Sequence, residues 1–144
     1  MGQIVIAILS ALSLTLTATT QNIERAFLQN NAKLLYSYFP ERSYINIALP
    51  EPVSFSDYVS NQQAYFLFKR IFSSYTTFQF FSDRETIFIP RRTVIFKARW
   101  SFLDRKTDNQ HVYFIYFYLT FHTDGINHRE PVFWKIREIR VEVI

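Results

Sequence analysis

An apolar run opens the chain: Ile4 to Leu16 is diluted only by Ser and Thr, and no charged residue occurs before Ile23. About 13 residues is short for a bilayer-spanning helix, which needs roughly 20. It has the length of a signal-peptide core, and small residues follow at Thr17, Ala18, Thr19 and Thr20. Three readings stand: a cleaved export signal, a retained membrane anchor, or a buried N-terminal helix. We assign residues 1–20 to a signal peptide or membrane anchor and 21–144 to a single domain. The expected location is exported, periplasmic or secreted, with membrane anchoring through residues 4–16 as the alternative.

Beyond it, Ile23, Ala26, Phe27, Leu34 and Tyr38 fall on one helical face, interrupted at Asn30 and Asn31. The interruption predicts two short helices, the second (Ala32 to Phe39) capped by Asn31 and stopped by Pro40. Tyr44 to Ala48 alternates weakly before Pro50 and Pro52 and predicts a short edge strand. Ser60 and Gln63 have capping-box spacing, and Ala64, Leu67, Phe68, Ile71, Phe72 and Tyr75 then repeat at helical intervals. That stripe is read as core packing, not as a row of rings around a cofactor.

The remainder predicts strands: Thr77 to Phe81, Thr86 to Ile89, Thr93 to Leu103, His111 to His122 and Val132 to Val143, with Asp124-Gly125 as the clearest turn signal. Helices first and an antiparallel meander afterwards is an α+β order. Alternation puts Val94, Phe96, Ala98, Trp100 and Phe102 on the core face, with Lys97, Arg99 and Ser101 opposite. In the last strand Trp134 and Ile136 are out of phase with Ile139, Val141 and Val143, which predicts a bulge near Arg137 and Glu138. Along the strand from His111, Ile115, Phe117, Leu119 and Phe121 take one face, and Phe114, Tyr116, Tyr118, Thr120 and His122 the other. Neither face is wet. With the first set in the core, the outer sheet face combines Tyr116 and Tyr118 with Lys97, Arg99, Lys135 and Arg137, a patch too apolar to stand without a partner.

Composition narrows the chemistry. The 144 residues are 49% hydrophobic and 19% aromatic, which suits one folded core and not a disordered chain. Two glycines cannot build a phosphate-cradling loop or a dinucleotide fingerprint, and the absence of cysteine removes disulfides, thiolate nucleophiles and Cys-ligated zinc. No cofactor is expected. Asp83 to Lys106 holds seven bases (Arg84, Arg91, Arg92, Lys97, Arg99, Arg105, Lys106) against three acids (Asp83, Glu85, Asp104), a surplus equal to the net charge of +4. A basic stripe of this kind steers a domain towards anionic partners. His111, His122 and His128 form no metal-ligand pair by spacing, so no metal site is expected. The acids mostly adjoin bases: Asp104 precedes Arg105 and Lys106, and Glu138 and Glu142 alternate with Arg137 and Arg140.

The element order resembles the nuclear-transport-factor-2-like superfamily, whose helices and curved sheet form a cone. Within it the chain looks like a bacterial exported family of unknown function, through Ile23 to Phe39 (IERAFLQNNAKLLYSYF), Gln62 to Phe72 (QQAYFLFKRIF), and the closing strands VYFIYFYL and FWKIREIRVEV. The family pattern has a Gly-Asn pair near Asn30-Asn31, and Asn30 stands here in the glycine's place. The resemblance implies a cone that either assembles with partners or encloses a small molecule; steroid isomerases, dehydratases and polyketide cyclases share the fold. Tyr36, Tyr38, Asp57 and Tyr58 are the candidates for a cone mouth. We expect a non-enzymatic binding or assembly domain of the cell envelope, pairing as a homodimer or with another protein through its outer sheet face. The alternatives are a cone for a small apolar ligand or an isomerase- or dehydratase-like enzyme, and a binder of single-stranded nucleic acid, which an exported address disfavours.

Overall fold

The computed structural model describes residues 2–83, 87–89, 93–121 and 134–142, with side chains in 14–83, 93–121 and 134–142. The expected turn at Asp124-Gly125, together with Arg84, Glu85, Arg91, Arg92, His122 and His128, lies outside the described residues. Two helices, α1 (Gly2–Leu28) and α2 (Ala32–Tyr36), precede strands β1 (Ile45–Leu49) and β2 (Phe55–Val59). Helix α3 (Asn61–Ser74) then leads into β3 (Tyr75–Ser82), β4 (Ile87–Ile89), β5 (Thr93–Asp104), β6 (Gln110–Phe121) and β7 (Trp134–Glu142). The strands form one curved sheet in the order β2-β1-β7-β6-β5-β3, with β4 also on β5. Neighbours are antiparallel except β1 and β7, which are parallel. The expected α+β arrangement of helices on a curved sheet is the one found.

Local chemistry accounts for the helix boundaries. Asn30 adopts φ 49°, the left-handed conformation that closes α1 and in which a glycine or asparagine costs least. The Asn31 side chain accepts from the Leu34 N–H at 3.1 Å and caps α2. Ser60 and Gln63 make both bonds of a capping box at the start of α3.

Four expectations are corrected. The helix ahead of Asn30 is not short, since α1 runs unbroken from Gly2. Helix α2 stops at Tyr36, and Tyr38 and Phe39 continue in tighter turns bonded to Leu35 and Tyr36 carbonyls. Tyr75 leaves the helical stripe: its extended backbone caps α3 and begins β3. Finally, β1 is not the sheet edge, because β2 pairs along its whole length from Ile45↔Val59 to Leu49↔Phe55.

The core lies between the helices and the concave sheet face. Val94, Phe96, Ala98, Trp100 and Phe102 are all buried there, as the alternation predicted, as are Ile115, Phe117 and Leu119. At its centre the fully buried Phe27 of α1 meets five rings: Phe68 at 5.9 Å and Phe72 at 5.4 Å from α3, and Phe80 at 4.8 Å, Trp100 at 5.0 Å and Phe117 at 5.6 Å from the sheet. Burying such a side chain contributes about 1.5–3 kcal/mol, and each edge-to-face ring pair about 0.5–1.5 kcal/mol beyond that. The Trp100 indole N–H, which would be costly to bury unpaired, donates to Thr77 Oγ1 at 2.8 Å.

The helix α1 joins this core well before residue 21. Leu16 and Thr19 are buried, and Trp134 Nε1 donates to Thr15 Oγ1 at 3.2 Å. No helix among the described residues is long and apolar enough to cross a membrane.

Candidate functional site

Aromatic rings of the described residues pack the centre of the cone. Among the described residues no Asp, Glu, His, Lys or Arg side chain is buried, and the polar side chains buried are Thr19, Thr77, Thr93, Ser101, Tyr38, Tyr113 and the indoles of Trp100 and Trp134. Tyr113 donates its O–H to the Pro50 carbonyl and accepts from the Val53 N–H at 3.2 Å, pinning the loop between β1 and β2. Burial pushes its phenol up to about 12, against the lowering effect of the Val53 N–H. His111 lies half-buried beside the rings of Tyr75 at 6.3 Å and Phe102 at 5.5 Å. No group of three metal-ligating side chains occurs among the described residues.

The four residues expected at a cone mouth go to separate places. Tyr36 packs on Tyr65 with ring centroids 5.4 Å apart and accepts from Asn61 Nδ2 at 3.4 Å. Tyr38 is buried, its hydroxyl accepting from Asn22 Nδ2 at 2.6 Å on α1. Asp57 and Tyr58 are exposed neighbours in β2 and therefore alternate to opposite faces; the Asp57 carboxylate accepts from the Tyr58 N–H at 2.8 Å.

The convex sheet face is more ordered than the sequence suggested. Register places Phe81, Arg99, Phe114 and Glu142 in one row across β3, β5, β6 and β7. The next row carries Lys97, Tyr116 and Arg140, and a third Ile95, Tyr118, Glu138, Asn46 and Tyr58. Phe81, Phe114 and Tyr58 are exposed by 57%, 38% and 67%, so large apolar surface meets solvent between charges. The Lys97 ammonium stands 5.5 Å from the centre of the Tyr116 ring, a cation–π contact. Tyr116 donates to the Glu142 carboxylate, and that bond to an anion raises its phenol. Arg140 Nη2 and Glu138 Oε1 are 2.7 Å apart, and Asn46 Nδ2 donates to the same oxygen at 3.4 Å.

Of the six residues expected on this face, Lys97, Arg99, Tyr116 and Tyr118 lie together on it. Arg137 is the extra residue of the predicted bulge, because the register steps from Tyr118↔Glu138 to Leu119↔Ile136. Lys135 lies opposite Thr120, one row beyond Tyr118, and donates to the Ser37 carbonyl at 2.9 Å. The bulge also brings in Glu138, Arg140 and Glu142, which plain alternation across β7 would have misplaced. Exposed Phe81 was missed because the irregularity between Thr77 and Gln79 changes the phase of β3.

No protein-family model and no curated protein matches the sequence. Solved structures do. A DUF4783 family protein from Bacteroides ovatus superposes with TM-score 0.62 at 14% identity, over 85% of this chain and 93% of that one. A ketosteroid isomerase-like protein from Erwinia carotovora atroseptica gives TM-score 0.61 at 9% identity, over 85% and 88%. A pinacolase from Penicillium brevicompactum gives 0.57 at 14% identity, over 88% and 81%. The fold is therefore the nuclear-transport-factor-2-like cone anticipated from the sequence.

Proposed function

We propose that this cone-fold chain is a non-enzymatic association domain that pairs with a second copy of itself through the convex sheet face. The observation that carries the reading is the row Phe81, Arg99, Phe114, Glu142, which is self-complementary. A two-fold axis running along β6 would set Phe114 on its own copy and bring Arg99 over Glu142 twice, two strands apart on either side. The Arg99 guanidinium has no hydrogen bond or ion pair among the described residues. In the next row Lys97 would meet Arg140, whose charge Glu138 already offsets at 2.7 Å.

The ring-packed centre of the cone supports this reading over a catalytic one. An isomerase- or dehydratase-like mechanism needs an acid, base or oxyanion donor inside the cone, and Phe27 with its five neighbours occupies that space here. A place in the cell envelope rests on the apolar segment Ile4 to Leu16 and belongs to the same proposal.

Light scattering of the purified chain tests the pairing. A dimer that Phe114→Ala converts to a folded monomer supports it. A chain that stays monomeric at the highest attainable concentration overturns it.

A further inference from the structure

A groove of about 420 Å³ opens on the helical side of the molecule, away from the sheet face. Three separate segments build it: the α1–α2 junction with Asn30 and Lys33, the α3 face with Tyr65, Lys69 and Phe72, and the turn after β5 with Arg105. No carboxylate of a described residue lines it. Arg105 is held in place, its Nη2 donating to the Phe72 carbonyl at 3.1 Å and its backbone N–H to Ser74 at 3.0 Å. That contact accounts for Arg105 as a cation closing the C-terminal end of α3. Nothing comparable accounts for the lysines. The Lys33 and Lys69 ammonium groups have no ion pair or hydrogen bond among the described residues, although both line the same concavity.

Three cations thus line one cleft with no acid of a described residue in its lining, a combination that favours an anionic ligand. The Asn30 Oδ1 accepts from the Thr77 N–H at 3.4 Å, which leaves its amide N–H donors for a further acceptor. Tyr65 adds an aromatic wall, and the volume lies in the range of small-molecule sites. We infer that this groove binds a phosphate monoester carried on an organic group, with Lys33, Lys69 and Arg105 holding the phosphate and Tyr65 flanking the organic part. A phosphate with close to two negative charges and three acceptor oxygens matches this set better than a single carboxylate. The site is independent of the sheet face and of pairing.

The test is titration of the ¹⁵N-labelled chain with phenyl phosphate at low salt, beside sedimentation with phosphatidylcholine vesicles containing phosphatidic acid. Saturable shifts of the amides of Asn30 to Lys33, Lys69 and Arg105 are expected. Lys33→Gln and Lys69→Gln should each weaken binding about tenfold, the size of one charge-assisted hydrogen bond, while Arg42→Gln on an exposed loop leaves it unchanged. Added salt should weaken it further. Phenyl phosphate binding without vesicle binding assigns a soluble ester. Vesicle binding that the Lys33→Gln, Lys69→Gln double variant loses assigns a lipid headgroup. Saturable binding of neither probe, or binding that persists in the folded double variant, overturns the proposal.

Discussion

The indole of Trp134 donates to the hydroxyl of Thr15 across 3.2 Å and so ties β7 to the helix that opens the chain. One residue on, Leu16 is buried in the common core, and Thr19 is buried a turn later with its hydroxyl donating back to the Thr15 carbonyl at 2.8 Å. These contacts make the apolar segment part of the domain's packing from residue 15 onward. Leu16→Ala should therefore cost about 2–3 kcal/mol, the lower range for deleting a buried leucine, and Thr15→Val about 1 kcal/mol for the indole left unpaired. Urea midpoints measure both. A Leu16→Ala protein as stable as its parent would detach this turn of α1 from the folded unit.

Phe27 decides whether the cone is solid or hollow. Phe27→Ala should cost about 3–5 kcal/mol, a large share of the stability of an ordinary domain, and Phe27→Leu a fraction of that. The space released is lined by Phe68, Phe72, Phe80, Trp100 and Phe117, so it should stay dry and accept a small ring. Indole or toluene is then expected to raise the melting temperature of the smaller variants and not of the parent. A parent stabilised as strongly as its variants would mean that the interior is already open to ligands.

What could be read from the sequence follows from how strongly each signal is tied to geometry. The core face of β5 was legible because alternate burial leaves a period of two, and the bulge at Arg137 because a change of parity in β7 has few other causes. Asn31 and Ser60 were legible as caps because their side chains satisfy backbone N–H groups at fixed spacing. Strand β2 was not. Phe55, Ser56, Asp57 and Tyr58 lie on the true edge, where three consecutive residues are exposed and leave no alternation to detect. The outer patch was half legible: Lys97 and Tyr116 fell on the right face, but Glu142 and Arg140 join it only after the bulge shifts their phase. The helical groove was invisible, since Lys33, Lys69 and Arg105 meet only when three segments pack together.

Tyr113 should make stability fall at high pH. Its phenol, raised to about 12 in the folded chain chiefly by burial, has an ordinary value of 10.0 when unfolded. Below pH 10 both states hold the proton and the contribution is complete. Between 10 and 12 the unfolded chain loses its proton first, so stability falls through this window. Tyr113→Phe removes this dependence, at the cost of the bonds to Pro50 and Val53. Denaturation at pH 8, 10 and 12 in both proteins is the measurement, and parallel losses in the two would assign the alkaline sensitivity to other tyrosines.

The proposed pairing of Arg99 with Glu142 across a two-fold axis makes a prediction that general stickiness of the sheet does not. Each contact occurs twice in a symmetric dimer, so a change in one residue is felt at two places. At about 1.4 kcal/mol for each pair, Arg99→Glu should weaken dimerisation about tenfold per pair, and about a hundredfold over the two. Glu142→Arg should do the same and also remove the acceptor of the Tyr116 hydroxyl. The double variant Arg99→Glu, Glu142→Arg restores opposite charges between copies and should recover much of the lost affinity, which sedimentation velocity at two salt concentrations would record. Apolar adhesion through Phe81 and Phe114 alone would give no such recovery, and a double variant weaker than either single one would exclude the proposed two-fold register.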